Sequence, residues 1–264
     1  MLLAIDIGNT NIVLGLFEEK TLTMSWRLAT LHDCTEAELW VPANRLFVEN
    51  EIDTRQLNGV IFSSVVPALT KTLTEMVLSR LGLDPLCVDA DNAGIPVRYE
   101  NPEEVGADRL VNAIAARTRY GQSGGAVIVI DFGTATTFDA VSASGEYLGG
   151  IICPGVEISA DALFQRTARL PRVDVEKPTE LIGRTTVASM RSGLFFGYVA
   201  MVEGIVQRLQ RQLTVDASAI CVATGGLAQA VTAETDIIDH IDADLTLYGL
   251  QMVWERNKGK RPGR

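Results

Sequence analysis

Short apolar runs alternate with polar interruptions along the first thirty residues. The runs at 2–7, 12–17 and 22–28 are rich in Ile, Leu and Val and predict three short strands. Gly8-Asn9 and Glu18-Glu19-Lys20 supply the turns between them. The result is an antiparallel meander, not the strand-to-helix crossover of a dinucleotide-binding fold. Thr35-Glu36-Ala37-Glu38 has the form of a capping box, so a helix is expected from there to about Glu49. The stretch 59–67 predicts a buried strand that ends in a polar turn. Pro67 suits the first turn of a helix over 68–81. A short strand follows at 86–88, then a loop over 92–104 marked by Gly94, Pro96 and Pro102. Leu110, Val111, Ala113, Ile114 and Ala115 predict a helix packed on its inner side, with Asp108 and Arg109 in its first turn.

The pattern then repeats. Gln122-Ser123-Gly124-Gly125 reads as a seam. Beyond it come a strand at 126–131, a turn at Gly133, a strand at 136–141 and a third at 147–153. Pro154-Gly155 leads into a helix over 156–166, and 171–178 is a loop. A long, mostly apolar helical stretch spans 186–212 and contains Gly193, Gly197 and Gly204. Those glycines suit close helix packing either at a dimer interface or within one subunit. A strand at 219–223 runs into Thr224-Gly225-Gly226, and 245–256 is a final helix. The expected architecture is α/β, a sheet unit duplicated into two halves, 1–121 and 122–264. The final helix is counted with the second half but is able to pack back on the first. The tail 257–264 is basic, which reads as a solvated end before a nucleic-acid contact.

Composition narrows the function classes. Of 264 residues, 47% are hydrophobic, enough for a sizeable core in each half. The formal charge of −10 argues against sequence-independent nucleic-acid binding, which depends on Lys and Arg. Cys34, Cys87, Cys153 and Cys221 are widely spaced without a CxxC pair and are expected to be buried reduced thiols. The N-terminus shows no basic leader, and no uncharged apolar run reaches membrane-spanning length. The expectation is a cytoplasmic protein with no membrane and no nucleic-acid partner. His32 and His240 are isolated and are read as non-catalytic.

Two positions stand out chemically. Asp6 and Asp131 each close an apolar strand just before a small-residue turn, Gly8-Asn9-Thr10 and Gly133-Thr134. Phosphoryl transfer from ATP needs oxygen ligands for magnesium and backbone amides for the phosphates, and glycine turns expose amides. Either Asp alone reads as an ordinary hairpin cap. Two copies in matched places, with Thr224-Gly225-Gly226 after a further strand, favour a nucleotide held by two facing hairpins. The chain has no GxxxxGK[ST] motif. Asp108 and Arg109 read equally as a helix-start pair favoured by the dipole and as a proton acceptor beside an anion clamp.

Taken in order, Asp6-Ile7-Gly8-Asn9-Thr10, Ser63-Ser64-Val65-Val66-Pro67, Asn101-Pro102-Glu103-Glu104-Val105-Gly106-Ala107-Asp108-Arg109, Asp131-Phe132-Gly133-Thr134-Ala135, Gly149-Gly150-Ile151-Ile152-Cys153-Pro154-Gly155 and Thr224-Gly225-Gly226 resemble the type III pantothenate kinases. These belong to the acetate-and-sugar-kinase, Hsp70 and actin superfamily. The resemblance implies two ribonuclease-H-like halves, each a mixed five-stranded sheet with flanking helices, and a homodimer. It implies ATP-dependent phosphorylation of pantothenate to 4'-phosphopantothenate, the first step towards coenzyme A, with Mg2+ or another divalent ion and K+ or NH4+. Carried over by position, Asp6, Ile7, Gly8, Asn9, Thr10, Asn11, Ile12, Val13 and Thr134 match ATP contacts, and Asp6 helps to organise magnesium, directly or through water. Asp131 matches the monovalent-cation ligand and Asp108 the proton acceptor. Tyr99, Gly106, Ala107, Asp108, Arg109 and Thr186 match substrate contacts, with Arg109 suited to the carboxylate. One departure is Thr185, where the family commonly has Asn. Other readings of the same residues are a nucleotide-sensing regulator and a kinase acting on a sugar or acetate.

Overall fold

A computed structural model describes residues 1–213 and 219–259. Two units separate, Met1–Ala115 with the chain from Asp244 onward, and Ala116–Ala243. In the first, β1 (Leu2–Ile7), β2 (Asn11–Glu18) and β3 (Thr21–Ala29) form the antiparallel meander. A parallel neighbour cannot be reached by a hairpin, so the next two crossovers carry helices. They are α1 (Glu36–Glu49), leading to β4 (Gly59–Ser64), and α2 (Pro67–Met76), leading to β5 (Leu86–Cys87). The sheet order is β3-β2-β1-β4-β5. The helix α3 (Ala107–Tyr120) follows. The second unit repeats the scheme with β6 (Val127–Phe132), β7 (Ala135–Val141), β8 (Tyr147–Pro154), α4 (Val156–Arg166), α5 (Thr186–Leu213), β9 (Ile220–Gly225), α6 (Ala228–Thr232) and β10 (His240–Ile241). Its order, β10-β9-β6-β7-β8, superposes on the first when β6 is matched to β1. These are two ribonuclease-H-like halves with mixed five-stranded sheets. The chain continues into α7 (Leu245–Asn257).

Alternation along the strands sets the cores. Leu3, Ile5 and Ile7 face α1 and α2 and pack with Leu39, Phe47, Leu69 and Leu73. Each such fully buried side chain contributes about 1.5–3 kcal/mol. The other face of the first sheet is covered by α7, whose Trp254 lies so close to Gly59 that a Cβ there would overlap the indole. In the second unit Ile128, Ile130 and Phe132 of β6 pack with Val199, Val202 and Val206 of α5.

Several expectations are corrected. The helix after Pro67 is α-helical only to Met76, passes into a π-helical turn over Val77–Leu81, and ends at Gly82 with φ 63°. Apolar spacing continues through the turn, so the sequence shows no break there. Only Cys221 is buried; Cys34, Cys87 and Cys153 are half-buried, because they sit at sheet margins and element ends, and all four are free thiols. The two-residue β10 and five-residue α6 are too short to leave a periodic signal. The basic tail from Lys260 lies outside the described residues. Among the described residues no helix is long and apolar enough to cross a membrane.

Candidate active site

Asp6 sits at the C-terminal end of β1, the end at which open α/β sheets bind ligands. Its neighbours in register are Val13 on β2 and Ser63 on β4. The turn that follows is tied down from both sides. The Gly8 amide donates to the Asn11 carbonyl at 2.9 Å, and the Thr30 amide to the Thr10 carbonyl at 3.0 Å. The Thr30 hydroxyl donates to the Gly8 carbonyl at 2.7 Å. Asn9 and Thr10 are exposed at the tip, and Gly8, Asn11 and Val13 are half-buried. The side chains of Ile7 and Ile12 belong to the core, so these two can meet a nucleotide only through their backbone.

The second candidate cluster is at the start of α3. The Arg109 and Leu110 amides both donate to the Gly106 carbonyl, and the Asp108 carboxylate accepts from the Arg109 amide at 2.8 Å. That places a carboxylate in the first turn of the helix, beside the positive end of its dipole. Gly106 makes room for it: a Cβ there would stand 2.5 Å from Asp108 Oδ1. Ala107 and Arg109 are buried, the latter only 8% exposed. Tyr99 is exposed on the preceding loop.

In the second unit Asp131 takes the place on β6 that Asp6 takes on β1. Its register partners are Thr137 on β7 and Thr224 on β9. Thr134 is exposed in the turn, and its carbonyl accepts from the Gly155 amide at 3.2 Å. A Cβ on Gly155 would overlap the Thr134 and Gly133 carbonyls, so glycine is what lets α4 begin against this turn. Behind the turn, the hydroxyls of Thr136 and Tyr198 share a buried hydrogen bond. Burial pushes the Tyr198 phenol up to about 12, partly offset by the Thr136 bond. Gly225, with φ 90°, ends β9 where a Cβ would approach the Phe132 carbonyl to 2.6 Å.

Thr186 opens α5 and is exposed. Beside it runs a surface groove lined by Leu163, Leu170, Ser189, Met190, Gly193 and Leu194. Thr185 is the N-cap: its hydroxyl accepts from the Ala188 amide at 3.1 Å and its carbonyl from the Ser189 amide at 2.8 Å. Asn and Thr both cap helices well, so this departure from the family's common residue keeps the local job.

Among the described residues no three or more His, Cys, Asp or Glu side chains stand together as a metal cluster. A divalent ion held at Asp6 would take one carboxylate, as magnesium commonly does, with the remaining ligands from phosphate and water. Asp131 is flanked in register by two threonines, so oxygen atoms that could hold a monovalent cation stand at this strand end. Sequence reasoning assigned no role to Ser63, whose hydroxyl donates to Asp6 Oδ1 at 2.7 Å. The signal that could have found it is its matched place at the end of the strand parallel to β1.

The family model described as type III pantothenate kinase matches residues 2–208. That span holds Asp6, Asp108, Arg109, Asp131, Thr134 and Thr186. The chain belongs to the type III pantothenate kinase family. A type III pantothenate kinase of Moorella thermoacetica is 50% identical over 97% of this chain and 100% of its own length. The family fold is also seen at low identity. A putative Baf family transcriptional activator from Campylobacter jejuni matches with a TM-score of 0.58 at 18% identity, over 97% of this chain and 99% of its own. An inorganic polyphosphate/ATP-glucomannokinase from Arthrobacter sp. strain KM matches with a TM-score of 0.50 at 17% identity, over 98% of each chain. Those two likenesses concern the fold alone.

Proposed function

We propose that this chain transfers the γ-phosphoryl group of ATP to the terminal hydroxyl of pantothenate, giving ADP and 4'-phosphopantothenate, the first step of coenzyme A synthesis. The observation that carries this is the family match over 2–208, which spans every proposed reacting residue. In the first unit the hairpin at 6–13 receives ATP phosphates on its amides and on Asn9 and Thr10. Asp6 holds the divalent ion. Bound there, Mg2+ supplies charge neutralisation for the transferring phosphate. In the second unit Thr134 contacts ATP, and Asp131 holds K+ or NH4+ in place of the lysine of a P-loop.

Arg109 clamps the pantothenate carboxylate in a bidentate pair, with Tyr99, Gly106 and Ala107 shaping the pocket. Asp108 accepts the hydroxyl proton as the new O–P bond forms and the bond to the ADP oxygen breaks. Phosphoryl transfer depends on in-line positioning more than on a strong base, so a carboxylate with no special basicity is sufficient. Thr186 adds a further substrate contact. The working form is a cytoplasmic homodimer. Supporting the association of two copies, Leu181 and Ile182 are 66% and 78% exposed, Phe164 on α4 is exposed too, and Gly193 and Gly197 leave open space along α5.

The test is ADP release across a substrate panel of pantothenate, hexoses and acetate. Turnover is expected only with pantothenate, Mg2+ and K+ or NH4+ together. Equal turnover on a hexose or acetate overturns the reading.

A further inference from the structure

We propose that Ser63 is a positioning residue for Asp6, fixing the carboxylate for the divalent ion; this rests on the reading of Asp6 as the ion's ligand. Ser63 ends β4 and is 0% exposed. The parallel register of β1 and β4 sets it directly beside Asp6, 57 positions away in the chain. Its hydroxyl donates to Asp6 Oδ1 at 2.7 Å. A serine hydroxyl has a single proton to give, and here it goes to the carboxylate. A bond of this kind to a carboxylate is about twice as strong as a neutral one, so it fixes the plane of the carboxyl group.

The duplication supplies an independent parallel. Thr224, 3% exposed, holds the same register place beside Asp131 on the strand parallel to β6. A buried hydroxyl thus adjoins each strand-end acid in both halves. The neighbouring Ser64 points to a local task, its oxygen accepting from Thr70 and from the Val66 amide. The two serines of the motif therefore divide the work, Ser64 building the turn into α2 and Ser63 holding Asp6.

The experiment titrates Mn2+ by calorimetry into the full chain with non-hydrolysable adenylyl imidodiphosphate present, for wild type, Ser63→Ala, Ser63→Cys and Asp6→Asn. Steady-state turnover against Mg2+ and against pantothenate accompanies it, with a thermal melt of each variant. Loss of an outer partner to a metal ligand weakens affinity roughly 10–100-fold. Ser63→Ala is expected to lose Mn2+ affinity by that factor while KM for pantothenate stays put. Ser63→Cys keeps a side chain of similar size but only a weak donor, so it should fall with Ser63→Ala. Wild-type Mn2+ affinity in Ser63→Ala, or full affinity in Ser63→Cys, overturns the inference while Asp6→Asn still binds weakly. An Asp6→Asn protein with undiminished Mn2+ affinity overturns the reading of Asp6 itself, and the Ser63 inference with it.

Discussion

Gly106→Ala separates catalysis from stability at the start of α3. The added Cβ would stand 2.5 Å from Asp108 Oδ1. An ordinary carbon–oxygen approach is about 3.3 Å, so the carboxylate oxygen has to retreat by about 0.8 Å. The obstacle is the end of a rotatable side chain, so the chain relieves the clash by turning Asp108 away. Gly106 is not among the positive-φ glycines, and its backbone is open to alanine. Turning Asp108 gives up its bond from the Arg109 amide, about 1 kcal/mol. Replacing glycine where alanine fits returns about 0.4–1 kcal/mol through the unfolded chain. The two nearly cancel, and the melting temperature should move by no more than a few degrees, about what ~1 kcal/mol produces. Catalysis has no such offset. A misplacement near 1 Å costs about 100-fold, so kcat for pantothenate phosphorylation should drop by about that factor with the ATP KM unchanged. The assay is coupled ADP release, with Asp108→Asn beside it. A Gly106→Ala enzyme with wild-type kcat would refute the placement of Asp108 as proton acceptor.

The other expectations concern single contacts. Gly155→Ala drives a Cβ into the Thr134 and Gly133 carbonyls, backbone that cannot rotate aside. It should cost about 1–3 kcal/mol and raise the ATP KM, read by a thermal melt and an ATP titration; unchanged ATP affinity would sever Thr134 from the nucleotide. Thr185→Ala should lower the urea-unfolding free energy by about 1 kcal/mol through loss of the α5 cap, while Thr185→Asn should leave it within a few tenths. Equal losses in both would show that the cap is not the reason for the residue. Tyr198 is held neutral, with its folded pKa raised to about 12. Its contribution to stability is full below the unfolded value near 10 and is lost as pH climbs towards the folded one. Denaturant midpoints followed over that interval should fall less steeply in Tyr198→Phe than in wild type, and parallel slopes would contradict the assignment.

Much of the fold was legible because the leading strands of each meander are short apolar runs closed by turn residues. The repeat of that order, from Asp6 to Asp131, makes the duplication visible in the sequence itself. The Thr35 box showed where α1 starts, since its pattern spans four residues. Features that depend on register or close approach left no local trace. Ser63 meets Asp6 only because β1 and β4 run parallel in one particular alignment. Gly106 stands out in the sequence only as a carried-over substrate contact and Gly155 only as a helix start; the close approach of the atoms beside them leaves no mark there. Thr185 looked like a departure from a family pattern, and its cap geometry explains why a hydroxyl suffices. The π-helical end of α2 keeps the apolar spacing of the helix before it, so the sequence could not mark the change.

The most direct measurement of the central claim is 31P NMR of a reaction holding the protein, ATP, pantothenate, Mg2+ and K+. The account predicts a phosphomonoester resonance on the terminal hydroxyl of pantothenate, rising one for one with ADP. Inorganic phosphate alone, or ADP formation indifferent to pantothenate, would contradict it.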